Sequence, residues 1–267
     1  MLHDVGGVRL NAIDEGEGQA ILFLHGLGGS WRDWAPQLDH LRHGFRVIAV
    51  DHRGHGRSEA TRGRYTTGLF AADAVALCRG VGVEHAHVVG LSMGGLVAQR
   101  VALDHPGFVD CLVLCDSGAH MPRALADPLL AVAAAVRENG MTDSRGVVGP
   151  SSPAWSKHTL ANNPQVVRDN GRESESTDPD QWAKGVRAVV DHDTRGELGA
   201  ITVPTLVVYG EEDGLIVPAY AAPPLMDGLP DAELLEIPDA GHVVNLEQPE
   251  AFDAALLAFF AAHPVTR

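Results

Sequence analysis

The stretch VVGLSMGGLVAQ (88–99) decides the reading of this chain. Its apolar start reads as a strand buried on both faces. From Met93 onward the residues favour a helix. Ser92 stands at the junction, with Gly90 and Gly94 each two residues away. A very tight strand-to-helix turn would lift the serine hydroxyl clear of a sheet. Such a turn strains the serine backbone and brings neighbouring chain too close for a Cβ, and glycine on both sides relieves the clash. The pattern is G-x-S-x-G, and it lies in the strand–turn–helix setting that its chemistry requires. The helix after Ser92 would also point its amide end at the hydroxyl, which favours developing negative charge.

The rest of the chain alternates strand and helix around this turn. Strands are expected at 8–14, 20–25, 45–51, 85–91, 109–117, 204–210 and 232–238. Helices are expected at 30–42, 66–82, 93–105 and 247–263. Ser30, Thr66 or Thr67, and Asp178 are expected helix caps. Such alternation implies a parallel sheet with helices on both faces. It fails from 122 to 198, where only helix-like stretches (123–140 and 178–193) and a polar stretch with several prolines are read. The fold class expected is therefore α/β, a mostly parallel, doubly wound sheet of about eight strands. A helical lid is inserted after the sixth strand. Residues 1–121 and 199–267 would form the core and 122–198 the cap, a size that suits a lid better than an independent domain.

A serine hydroxyl needs a base, and His242 in the loop after the last strand is best placed. The base needs an orienting carboxylate. Asp213, in a glycine-bracketed loop after a strand, gives the chain order Ser…Asp…His. Asp116, ending the strand after the serine helix, is its rival. Two amides are expected to hold an oxyanion, those of Met93 and Leu27. His25 is read as a brace for the loop that carries Leu27, not as a base.

HGLGG (25–29), DHRGHGRS (51–58), GLSMGG (90–95), GEEDGLIVP (210–218) and AGHVVNLEQPE (240–250) together resemble the α/β-hydrolase family. The resemblance runs from about residue 5 to 262, apart from the insertion, which stands where family members carry a lid. It implies Ser92 as nucleophile, Asp213 as acid and His242 as base. The branch most similar holds 3-oxoadipate enol-lactonases, small esterases and cofactor-free haloperoxidases. Some relatives draw their acid from the strand after the nucleophile, which keeps Asp116 in play.

The expected activity is hydrolysis of a carboxylic ester or lactone through an acyl-enzyme on Ser92, with neither metal nor organic cofactor. The alternatives are an enol-lactone-type hydrolase of an anionic substrate and a ligand sensor with little turnover. Peroxide in place of water would give perhydrolase chemistry on the same residues. Trp34, Met121, Leu129, Trp155 and Val243 are the expected substrate contacts. Arg123, Arg137 and Arg145 are the nearby groups able to bind a carboxylate. The histidines of DHRGHGRS are read as structural, with Arg53 in a salt bridge.

A formal net charge of −15 argues against nucleic acid and slightly favours neutral substrates. No membrane span or secretion signal is read, so no membrane partner is expected. Cys111 and Cys115 share a strand and are too far apart to pair, and three reduced thiols suit a cytoplasmic protein. The partner expected is a small-molecule ester or lactone; a homodimer is left open.

Overall fold

In a computed structural model, which describes residues 1–265, one sheet carries the chain. Its strands are β1 (Leu2–Val5), β2 (Val8–Glu15), β3 (Ala20–Leu24), β4 (Arg46–Val50), β5 (Ala86–Leu91), β6 (Val109–Cys115), β7 (Thr205–Gly210) and β8 (Ala232–Ile237). They are ordered β1-β2-β4-β3-β5-β6-β7-β8. β1 and β2 run antiparallel; every pair from β4 to β8 is parallel. The chain moves outward from β3 to β4, then returns past β3 to β5. The carboxyl ends of β3 and β5 thus form a switch point, the place where an open parallel sheet leaves a crevice for a ligand.

Two-residue periodicity divides the core into two layers. Leu22, Leu24, Val88, Leu112, Leu114 and Val207 face α2 (Thr67–Gly80) and α3 (Met93–Asp104). Ile21, Phe23, Val89, Val113 and Val208 face α1 (Ala35–Leu41) and the C-terminal helix, Pro249–Ala262. Thr66 and Asp178 cap their helices as expected. Ser30 caps a short 3₁₀ turn, Trp31–Trp34, that precedes α1.

Between β6 and β7 stand α4 (Arg123–Asn139), α5 (Arg145–Val148), α6 (Lys157–Asn162), α7 (Pro164–Glu175) and α8 (Pro179–Val190). The two ends of this segment meet. His120 and Asp193 form an isolated bridge, the Thr194 amide donates to the Ala119 carbonyl (2.9 Å), and the Thr194 hydroxyl donates to Gln99 on α3 (2.6 Å). Ala133 and Val136 of α4 pack on Trp182 and Val186 of α8.

Several elements depart from the sequence reading. β1 pairs with β2 across Gly6-Gly7, both at positive φ (59° and 93°), a hairpin signal that outweighs the polarity of LHDV. α6 and α7 occupy the stretch read as polar loop. Pro164 is the first residue of α7, a position where a missing amide costs nothing. α9 (Pro218–Gly228) forms despite Pro223 and Pro224 within it.

Trp34 needs a correction. It lines neither of the two cavities beside Ser92. Its ring is fully buried between Phe23 (centroids 4.9 Å) and Phe252 (6.1 Å), where it joins β3 to the C-terminal helix. Truncation to Ala should cost about 3–5 kcal/mol by leaving a cavity. Denaturant unfolding with an unchanged m-value would check this.

Candidate active site

The turn after β5 is as tight as the glycines require. Ser92 has φ 53° and ψ −115°, a left-handed conformation costing about 1–3 kcal/mol for a residue with a Cβ. It is held by a bond from its amide to the Cys115 carbonyl (2.8 Å) and by bonds to its carbonyl from Gly95 N (2.9 Å) and Ser117 Oγ (2.9 Å). A Cβ on Gly90 would lie 2.2 Å from the Gly94 carbonyl oxygen, and one on Gly94 2.0 Å from that of Leu24. Both contacts are with backbone, which cannot step aside.

Three sequence-predicted residues converge here. His242 Nε2 is 2.9 Å from Ser92 Oγ, and its Nδ1 is 2.8 Å from Asp213 Oδ2. The other Asp213 oxygen accepts from the amides of Leu215 and Ile216, both at 2.8 Å. That local turn aims the free oxygen at the imidazole. With a carboxylate on Nδ1, that nitrogen carries the proton and Nε2 is left as the acceptor facing the serine. Both side chains are buried.

Asp116 does not reach His242. Its Oδ1 accepts from Gly210 N (2.9 Å) and its Oδ2 from Val244 N (3.2 Å), so it ties the end of β7 to the start of α10 (Val244–Glu247). Burial, then the Asp213 carboxylate, push its pKa well above the usual carboxylate range; the two amides oppose this.

The HGLGG loop lies against the turn. A Cβ on Gly26 would touch that of Ser92 at 3.5 Å. The Leu27 and Met93 amides have no acceptor among the described residues. His25 braces this loop. Its Nε2 accepts from the His52 amide (2.9 Å), and its Nδ1 donates to the Gly26 carbonyl (2.7 Å). Burial drives its pKa down to about 4, so it stays a neutral brace. Arg53 grips Asp73 with both ends of its guanidinium (2.6 and 2.5 Å).

Two cavities open on either side of Ser92, of about 260 Å³ and about 440 Å³. Their shared wall includes Ser92, Met121, Leu125, Val189, Leu215 and Ile216. Of the expected contacts, Met121, Leu129, Trp155 and Val243 line the smaller lobe. Leu27 lies there as well, whereas Met93 lines the larger lobe. The three named arginines do not reach either lobe. Arg137 pairs with Asp180 (2.9 Å), Arg145 with Glu175 (2.7 Å), and Arg123 is 92% exposed beside Asp127. Among the described residues no Arg or Lys lines either lobe.

Among the smaller lobe's lining residues that escaped the sequence reading, one is ionisable. Asp33 is a buried carboxylate on the wall of the smaller lobe. Burial, then Glu173 and Asp51, push its pKa up to about 7, while the Ser30 amide and Asn170 oppose this. The only sequence signal was Ser30-x-x-Asp33, which reads as a helix-start motif.

A match to a model described as the alpha/beta hydrolase fold spans residues 19–249. The chain belongs to that family. It is 35% identical over 254 residues to a Variovorax paradoxus protein named "Putative carbamate hydrolase RutD", covering 92% of each chain. Among solved structures, a thermophilic esterase from Thermogutta terrifontis superposes with a TM-score of 0.90 at 28% identity, covering 98% of this chain and 97% of that one. The enol-lactonase from Burkholderia xenovorans LB400 gives 0.90 at 29% identity, covering 98% and 100%. Among the described residues no helix is long and apolar enough to cross a membrane.

Two stability measurements follow from this geometry. Ser92→Gly relieves the turn at the cost of extra freedom in the unfolded chain, leaving a net gain of about 1 kcal/mol. A higher thermal midpoint would show it. The second concerns Asp33. A carboxyl with a higher pKa folded than unfolded gives stability that is complete below its unfolded pKa of about 4 and lost as pH rises through about 7. Asp33→Asn should therefore become more stable relative to the parent between about pH 5 and about pH 8, read as denaturant midpoints.

Proposed function

We propose that this chain is a serine hydrolase of neutral carboxylic esters or lactones. The observation that carries the reading is the unbroken chain from Ser92 Oγ through His242 to Asp213, at 2.9 and 2.8 Å, on a strained serine at the sheet's switch point. His242 Nε2 takes the hydroxyl proton as Ser92 attacks the carbonyl. The Leu27 and Met93 amides receive the oxyanion; their lack of protein acceptors and the helix start at Met93 support that role. His242 then returns the proton to the leaving alkoxide. Water repeats the sequence on the acyl-enzyme, and Asp213 holds the imidazole tautomer and the charge that builds on it. No step draws on a metal or an organic cofactor.

Residues 122–198 act as the lid in this reading. Met121, Leu125, Leu129 and Val132 give the smaller lobe an apolar wall. A dicarboxylate substrate would need a cation inside, and the lining supplies none among the described residues. The likeness to esterases and an enol-lactonase supports the reaction class.

Hydrolysis of a small panel of esters and lactones tests the proposal. Ser92→Ala should lose activity by about ten-thousand-fold or more, and a fluorophosphonate should add once, at Ser92. Asp213→Asn should lower kcat by roughly a thousand- to ten-thousand-fold, because the imidazole then holds the wrong tautomer. Asp116→Asn should do far less, since Asp116 makes no bond to the histidine. An acyl chain ending in a carboxylate should be a poorer substrate than its neutral amide. Folded protein that neither labels nor turns over would sink the mechanism.

A further inference from the structure

Asp33 poses a problem that its local role does not solve. It closes a capping box with Ser30. The Ser30 hydroxyl accepts from the Arg32 amide (3.2 Å) while the Ser30 amide lies on the Asp33 carboxylate. Asparagine would do this equally well without a charge. Yet the chain keeps a carboxylate here, 4% exposed, with no salt bridge among the described residues. Its charged neighbours make matters worse. Glu173 on α7 and Asp51 beyond β4 are both acidic, and Arg32, adjacent in sequence, pairs with Glu173 (3.6 Å). A buried carboxylate with acids around it is costly unless something in the site repays the burial.

The surroundings indicate what that something is. Asp33 shares the smaller lobe with Ser92 and His242. Opposite it, α7 presents Asn170 and Ser174, four residues apart on one helix face. Asn170 Nδ2 donates to Asp33 Oδ1 at 3.2 Å, and the buried Ser174 hydroxyl has no partner among the described residues. A carboxylate offers about four lone-pair sites, and two donors are accounted for. Besides Ser92 and His242, the polar side chains on this lobe's wall are Asp33, Asn170 and Ser174, gathered at this corner, and Trp155, whose buried indole N–H has no acceptor among the described residues.

We infer that Asp33 is a specificity-determining residue, whose carboxylate accepts a hydrogen bond from an N–H or O–H of the substrate in the smaller lobe. The favoured substrate is therefore an ester or lactone carrying an uncharged donor such as an amide, a short distance from the scissile carbonyl. This deepens the hydrolase reading and rests on it. A site that expects such a donor leaves a buried acceptor unmatched when the donor is missing, and so discriminates strongly against analogues that lack it.

The test uses two matched pairs. Phenyl N-acetyl-β-alaninate and its ketone isostere, in which CH2 replaces N–H, place the donor on the acyl side. Acetamidoethyl butanoate and its ketone isostere place it on the alcohol side. The readout is the ratio of kcat/KM within a pair, which cancels any pH effect common to both members. At about pH 8 at least one amide ester should be favoured by about tenfold or more. The preference should fall as pH drops through about 7, where Asp33 takes up a proton. In Asp33→Asn it should shrink to a few-fold and lose its pH dependence, which a purely structural Asp33 would not produce. Ratios near one in both pairs, or a preference unmoved by pH and by Asp33→Asn, overturn the inference while leaving the hydrolase intact. If no ester is turned over and Ser92 is not labelled, the hydrolase reading falls. Calorimetric binding of the same pairs to Ser92→Ala then decides the subsite alone: tighter binding of an amide supports it, and equal or absent binding overturns it.

Discussion

The molecule is organised around a contact between backbones. The first turn of α3 lies on the ends of β3 and β5 at distances that leave no room for a Cβ on Gly90 or Gly94. Ser92 is forced into a left-handed conformation by that approach, and its hydroxyl stands clear of the sheet as a result. The strain has to be met elsewhere. It is met by the buried parallel sheet on both sides and by bonds from Cys115 and Ser117 at the tip of β6. Since no side chain makes the contact, nothing in the core can relax to accommodate a larger residue there.

From this point the site is built by loops that share partners. Asp116 joins the end of β7 to the start of α10, and the two loops it joins carry Asp213 and His242. The rival acid of the sequence reading is thus the strut between the loops of Asp213 and His242. Its sequence position, at the tip of a central strand, suited either role; only the direction of its side chain separates them.

Much of the fold was legible because burial imposes period two on strands and capping residues mark helix starts. The turn at Ser92 was legible because glycine records a backbone approach directly. What escaped was set by direction and by distant partners. Trp34 is close in sequence to the HGLGG loop but turns into the core against Phe23 and Phe252. Arg123, Arg137 and Arg145 lie between β6 and β7, yet their acidic partners hold them outside the cavities. Pro164 falls in the stretch read as polar, although it starts a helix, and Pro223 and Pro224 are carried within a helix that the sequence reading did not include. Asp33 was hidden by a motif that explains it locally and says nothing of the cavity it borders.

The segment between β6 and β7 is not of one kind. Around residues 153–156 it is bonded into the core. The Pro153 carbonyl accepts from Gly214 (3.1 Å), the Ala154 carbonyl accepts from His242 (2.6 Å), and the Ser156 amide donates to Glu247, which also holds Gly241. These four residues touch the loops of both Asp213 and His242, whereas α4 packs on α8 and borders the cavity. In the course of divergence the two parts are under different constraints. Drift in α4 reshapes the cavity and leaves the acid–base geometry alone. A change at 153–156 would move both loops at once, so this short piece is constrained together with the core and limits how freely the rest of the segment can be exchanged.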